Sequence, residues 1–309
     1  MAGRFVKVTQ EAAFGTYNAG GTVLTPRFSG SNAFSYMTNP EFWSVMDGSG
    51  LNIAALAGTA TARLTGTLTT ELCYSQALFL LGWALQRINA GQTSPWTTTE
   101  LPNDLASCTC DFGYQPFDSA TFKTIRFLGC KVGSISLTAS KEAPKVMATV
   151  GLLGGSPSAN PTLTAPLLTD YATDVCLFQH LKSGFTMLGA SRTNFDSFTF
   201  TCTNMVKPYW DENQYAVALR LGSRNISVQA NLRLKSGSTD RAAYEAGTVG
   251  TLKLVFTNGT HTITLDMRAT AYITQFQESY PLTEESYVPV TIVPLLDVAA
   301  GTEFTLTYA

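Results

Sequence analysis

Charge is scarce in this chain: Asp, Glu, Lys and Arg together make up 14% of its 309 residues, against about a quarter in an ordinary soluble domain. What charge there is nearly cancels, with Lys plus Arg at 20, Asp plus Glu at 22 and a formal net charge of −2. No run of Lys or Arg supplies a basic field for gripping phosphates, which argues against a nucleic-acid-binding module. Long apolar runs are also missing. The longest, Ala77 to Leu85, is far too short to span a bilayer, so no membrane association is expected. Met1 to Lys7 leads into polar sequence without the apolar core of a signal peptide.

Residues that carry chemistry are few. Only two histidines occur, His180 and His261. Cys176 and His180 stand four apart and would share one face of a helix, half of a zinc site, but no second pair completes it. Cys108-Thr109-Cys110 has the wrong spacing for a structural zinc site. Neither a Gly-x-Ser-x-Gly elbow nor a Gly-rich loop before a lysine is present. The carboxylate pairs Asp211-Glu212 and Glu284-Glu285 fall in expected turns, where solvated charge explains them better than glycosidase chemistry. No catalytic, cofactor-binding or metal-binding residue is therefore assigned, and the chain reads as a non-enzyme. The six cysteines, at 73, 108, 110, 130, 176 and 202, are scattered through a chain long enough to build its own core. They read as small core residues in a reducing cytoplasm.

What the sequence does have is period-two alternation. Ile135, Leu137 and Ala139 alternate with Ser134, Ser136 and Thr138, and Val146 to Leu152 form the next apolar row. Phe198, Phe200 and Cys202 alternate with threonines, and Ile226 to Leu234 make the longest clean run. One apolar and one polar face per strand predicts half-buried antiparallel sheets. Asn258-Gly259, between Leu252–Phe256 and Ile263–Met267, predicts a hairpin. Val290, Ile292, Phe304, Leu306 and Tyr308 read as closing strands. Two helices are expected. The first runs from Glu71 to about Asn89, capped by Thr70 and buried because it is apolar on most sides; the second runs from Thr239 to Ala246 and stops at Gly247.

The two halves also resemble each other. Phe34 to Asn39, followed by Pro40 and Phe42-Trp43, parallels Phe200 to Asn204, followed by Pro208 and Tyr209-Trp210. Asn39 to Asn204 is 165 residues, Trp43 to Trp210 is 167 and Leu68 to Leu234 is 166. A near-constant offset over strand, loop, strand and helix predicts an internal duplication. The units expected are 1–155 and 185–309, joined by a Pro-containing connector at 156–184.

Phe122 to Leu137, with its Gly129-Cys130-Lys131-Val132 turn opening an alternating strand, resembles the middle of the two-part phage tail tube proteins. So does the valine-rich strand Val146 to Leu153. Lys7 to Thr16, ending in Phe14-Gly15-Thr16, is similar to that family's start. Phe198 to Tyr308, with Thr203-Asn204 and Tyr244-Glu245-Ala246-Gly247, is similar to its closing region. The segment Ala90 to Phe117 finds no counterpart. The resemblance implies a mostly β fold of two tandem β-sandwich tail-tube-like units, each with a flanking helix, whose sheets join between subunits into a large β-barrel around a lumen. It implies a structural virion protein, made in the host cytoplasm, that stacks as rings into a hollow tube. Six one-unit chains make a simple ring, so a two-unit chain implies a homotrimer with approximate six-fold symmetry, with a hexamer as the alternative. The implied partners are tail terminator and tail-tip or baseplate proteins, with the tape measure protein and DNA passing through the lumen without specific binding. No added Ig-like domain is expected after the last strand. Large aromatics in loops favour interfaces, which makes Phe42, Trp43, Tyr209 and Trp210 candidates for contacts between rings. A virion decoration or host-attachment β-sandwich protein is the alternative reading.

Overall fold

The computed structural model describes residues 4–21, 23–25, 33–42, 57–85, 96–98, 106–116, 121–158, 174–181, 184–211, 215–233, 239–278, 287–295 and 305–309; for 4, 33–42, 57–63, 96–98 and 269 it describes the backbone alone. The fold is mostly β, with two α-helices among these residues.

The first strands are β1 (Arg4–Gln10), β2 (Val23–Leu24), β3 (Ala33–Phe42) and β4 (Ala57–Glu71), followed by helix α1 (Tyr74–Leu85). Then come β5 (Trp96–Thr98), β6 (Cys108–Tyr114), β7 (Lys123–Ser140), β8 (Met147–Gly154) and β9 (Ser156–Ser158). A 3-10 turn at Phe178–Leu181 leads to β10 (Phe185–Met187), β11 (Ala190–Ser191), β12 (Phe195–Tyr209) and β13 (Ala218–Arg233). Helix α2 (Asp240–Glu245) precedes β14 (Val249–Gly250), β15 (Lys253–Thr257), β16 (Thr262–Asp266) and β17 (Ala271–Phe276). The last strands are β18 (Tyr287–Val293) and β19 (Thr305–Tyr308).

These strands form two antiparallel sheets. The smaller has the order β11-β10-β15-β16-β19-β5. The larger contains the continuous run β3-β4-β8-β7-β12-β13-β18-β17, and a branch β6-β1-β2 leaves it from the first half of β7. Neither sheet closes on itself among the described residues. Within the run one pattern occurs twice. A long hairpin (β3-β4, then β12-β13) is joined at its second strand by the later strand of a following pair (β8, then β18), and the earlier strand of that pair (β7, then β17) lies outermost.

The irregularities recur as well. In β3-β4 the register shifts between Asn39 and Pro40, resuming at Pro40↔Thr59. In β12-β13 it shifts between Asn204 and Val206, resuming at Val206↔Leu221. In both cases the extra residue lies on the second strand. In β7-β8 the shift falls between Val132 and Ser134, resuming at Ser134↔Gly151. In β17-β18 it falls between Ile273 and Gln275, resuming at Gln275↔Thr291. A bulge sets local twist and bend, so matched bulges give the two four-strand groups matched curvature.

The core is one connected cluster drawn from both halves. Phe198 of β12 meets Phe256 of β15 at 5.6 Å between ring centroids, and Phe195 meets Phe185 at 5.1 Å, so the small sheet packs on the large one through aromatic contacts. Helix α1, buried at every position but Ser75 and Gln76, packs against β7 and β16. It starts later than the sequence suggests. Thr70 and Glu71 continue β4, where Glu71 pairs with Met147, and the Thr70 hydroxyl bonds the Glu71 carbonyl instead of capping a helix. The cap comes from far along the chain: Asp174 Oδ2 accepts the Ser75 N–H at 2.8 Å. Residues 86–90 lie outside the described ones. Helix α2 follows the expectation, with Thr239 at its N-cap and Gly247 at φ +61° just beyond its end.

The Asn258-Gly259 hairpin is present, with β15 and β16 paired from Lys253↔Asp266 to Thr257↔Thr262. Asn258 Oδ1 holds the turn by accepting the N–H groups of Thr260 and His261. In the stretch expected as a connector, residues 159–173 lie outside the described ones. Its later part is built into the core, with Cys176 and Leu181 fully buried. The unplaced segment Ala90 to Phe117 supplies β5 and β6.

Candidate functional surface

Strand alternation that buries Ile135, Leu137, Phe198, Phe200, Ile226 and Val228 turns the residues between them to the opposite face of the large sheet. The register aligns these into rows. Thr69, Thr149, Ser136, Thr201 and Ser227 lie side by side across β4, β8, β7, β12 and β13. A second row runs Thr67, Gly151, Ser134, Thr203, Asn225. A third runs Met147, Thr138, Thr199, Gln229, Thr291 and Gln275, reaching β17. Neighbours along the rows interact: the Thr69 and Thr149 hydroxyls are 3.4 Å apart, and the Thr291 hydroxyl donates to Gln275 Oε1 at 3.3 Å. This face is hydrophilic but uncharged in its middle. The ion pairs Glu71–Lys145 (2.6 Å) and Lys141–Asp196 (3.0 Å) stand where the rows end. The Ser/Thr alternation was legible in the sequence; the continuity of the rows across both halves depends on the β7-β12 pairing, which no sequence motif announces.

The sheet also has open edges. Among the described residues β3 pairs only with β4, and β17 pairs with β18 on one side and with the short β14 on the other, at Ala271 and Tyr272. Backbone groups on such edges are templates for another strand.

Of the four aromatic candidates, Trp43 lies outside the described residues, and Phe42 is described only as the backbone end of β3, opposite Ala57. Tyr209 ends β12 half exposed, with the Arg220 guanidinium 5.0 Å from its ring centroid. Trp210 turns the other way. It lines a pocket of ≈ 270 Å³ with Leu64, Gly154, Val206, Pro208 and Leu219, between the hairpins of the two halves. The structure therefore separates neighbours that the sequence treated alike.

Both histidines converge near the start of α1. The Tyr74 hydroxyl is 3.1 Å from His180 Nδ1, which also accepts the Leu177 N–H at 3.2 Å, and the Tyr308 hydroxyl is 3.1 Å from His261 Nδ1. The Tyr74 ring stacks on that of His261. Burial lowers the His180 pKa and raises those of Tyr74 and Tyr308. It also pushes the Cys176 thiol up to about 12. Cys176 precedes the 3-10 turn that carries His180, so the pair does not share a helix face. Among the described residues no three or more His, Cys, Asp or Glu side chains gather to hold a metal ion, and no helix is long and apolar enough to cross a membrane.

An open sheet with a neutral hydroxyl face and matched halves is suited to assembly, and comparison with known families agrees. Over residues 8–292 the chain matches the family described as phage tail tube protein. The chain belongs to that family. Comparison with curated proteins gives no match. A tail tube protein is a structural component of the phage tail, and membership implies self-assembly into a tube.

Proposed function

We propose that this chain is the repeating subunit of the tail tube, polymerising into stacked rings through whose lumen DNA passes. The observation that carries this reading is the uncharged Ser/Thr face, continuous over strands of both halves on a sheet left open at its ends. DNA carries one negative charge per ≈ 1.7 Å of helix axis. A cationic wall would hold it, whereas hydroxyls and amides hydrate the middle of this face without fixed positive charge, leaving Lys207 and Arg220 at its margin beyond the β12-β13 bulge. The polar face lines the lumen, and the aromatic core, with α1 and the small sheet, lies outside it. The sheets of neighbouring subunits join into the large barrel, which removes the open edges.

The recurrent strand order and bulges support two tail-tube-like units per chain, with boundaries at 1–155 and 185–309 and the connector at 156–184. Three chains then supply six units per ring. Phe42, Trp43, Tyr209 and Trp210 are the proposed contacts between successive rings, and Tyr209, half exposed at the end of β12, is the one the geometry favours. Tail terminator and tail-tip or baseplate proteins cap the tube, and the tape measure protein occupies the lumen before DNA. The role is structural and needs no catalytic group or cofactor.

Negative-stain imaging of the purified chain, alone or seeded by a tail-initiating partner, tests the reading. Hollow tubes or stacked rings are expected. A chain that stays monomeric under seeding, or forms only a small closed oligomer, would point instead to a decoration or attachment protein.

A further inference from the structure

The chain carries an internal copy of the contact that its two outer edges need. Strand β7, outermost in the first four-strand group, pairs with β12, the first strand of the second group, from Ser197↔Ser140 to Thr203↔Ser134. At the far ends of the same run stand β17, outermost in the second group, and β3, the first strand of the first. Thus one β7-type edge and one β3-type edge meet inside the chain, and one of each is left over.

The covering of these edges matches too. On the edge of β7 that meets β12, β6 covers the first half of the strand, Lys123 to Cys130, and leaves the second half to β12. On the corresponding edge of β17, β14 covers Ala271 and Tyr272, and the residues from Ile273 onward have no strand beside them among the described residues. Helix α1 seals the inner junction. Asn204 Nδ2 donates to the carbonyls of Ala84 at 2.7 Å and Val132 at 3.2 Å, and Arg224 Nη2 donates to the Leu85 carbonyl. Helix α2 packs on β17, with Tyr244 stacked on Phe276, so a helix lies against the strand of the outer edge as α1 lies against β7.

We infer that β17 of one chain pairs antiparallel with β3 of a second copy, in the register that β7 and β12 already use. This rests on the tube reading and specifies its contact. The bulges fix the register. Ser134 and Gln275 each follow the shift in their strand, and each faces its partner there, Gly151 or Thr291. Val206 follows its shift as Pro40 does, an offset of 166. Before the shift, Ala33↔Thr67 matches Thr199↔Gln229 at the same offset, so Thr203 corresponds to Met37. One further pair checks the mapping independently. Thr67↔Gly151 between β4 and β8 should recur as Gln229↔Thr291 between β13 and β18, and it does. The inner pair Thr203↔Ser134 therefore becomes Met37 of one chain opposite Gln275 of the next, and Thr201↔Ser136 becomes Ser35 opposite Gln277. Applied head to tail, the same contact links each chain to the next, as a ring requires. Across the boundary between chains, Gln277 would continue into Ser35 and Thr65, and Gln275 into Met37 and Arg63.

Cysteine cross-linking tests the register, aided by the fact that all six native cysteines are buried. The chain carrying Gln275→Cys with Met37→Cys should form interchain disulfides on assembly, converting most of the protein to covalent multimers on a non-reducing gel. Either single variant should not. Gln275→Cys with Thr38→Cys should not either, because a one-residue slip turns the two side chains to opposite faces. Hydrogen exchange on the unmodified chain provides a second readout free of any folding defect. Amides within 34–37 and 274–277 should slow by about tenfold or more on assembly, while those of 199–203 stay as protected as before. Imaged tubes without the cross-link, with equal cross-linking in the shifted pair, or with unchanged exchange at 274–277 would overturn the register and leave the tube reading standing. A chain that forms no ring or tube overturns both.

Discussion

Glu11 shows how much of the fold a single side chain can organise. It is buried, and its carboxylate accepts the Thr109 hydroxyl at 2.8 Å, the Gly129 N–H at 2.9 Å and the Gly15 N–H at 3.0 Å. It thereby ties the opening Phe14-Gly15-Thr16 segment to the Gly129-Cys130 turn, two of the stretches that resemble tail tube proteins in the sequence. Gly129 has φ +66°, and a Cβ there would lie 2.8 Å from the Phe14 ring, so both its backbone and its neighbour demand glycine. Glu11→Ala should destabilise the monomer by about 2–3 kcal/mol, the scale of lost hydrogen bonds to a buried charge. Chemical denaturation measures this, and a change near zero would contradict the assigned role. His180 gives a pH signature. Burial lowers its pKa, and its Nδ1 accepts a backbone N–H, so the fold favours the neutral ring. A folded value below the ordinary histidine value of about 6.5 contributes stability that is present above that pH and is lost as pH falls through the folded value. The Tm difference between wild type and His180→Asn should therefore shrink as pH drops from about 7.5 to about 5, and a pH-independent gap would rule this out.

At the scale of elements, the strands were largely legible because period-two alternation records burial on one face directly. Residues Ser134 to Ala139, Phe198 to Cys202 and Ile226 to Leu232 lie in strands whose apolar members are buried. The start of α1 was not legible. Thr70-Glu71 looks like a cap and a first turn, but pairing with β8 outweighs local propensity there, and the real cap, Asp174, is 99 residues away in sequence from Ser75. No local signal reports a partner that distant. The same holds for Asn204, which was visible as a repeated asparagine but not as the residue that docks α1. Its side chain spans the Ala84 and Val132 carbonyls and accepts from Arg224 Nε at 2.9 Å. Asn204→Ala should cost about 2 kcal/mol by leaving buried polar groups without their partner, read as a lower denaturation midpoint with unchanged m-value. If α1 also seals the contact between the units, that variant should assemble less efficiently than its stability loss alone explains.

Across the whole molecule, the proposed duplication rests in the sequence on an offset of about 166 residues carried by few identities. What supports it is backbone geometry, in the repeated strand order and the bulges at matched places; the sequence offered the Asn39 and Asn204 match there, which the strand register displaces by one residue. The polar face follows from the same arrangement and gives its own expectation. Assembled tubes should show no detectable affinity for duplex DNA at physiological salt, whereas Thr201→Lys, placed mid-face, should create salt-sensitive DNA retention. Tight binding by the wild-type tube would contradict a neutral lumen. The central claim is that one chain supplies two sheet units to the ring. Cryo-electron microscopy of the assembled tube tests it most directly. Three chains per ring, with three-fold symmetry and an approximate six-fold inner barrel, is the predicted result; six chains per ring would contradict it.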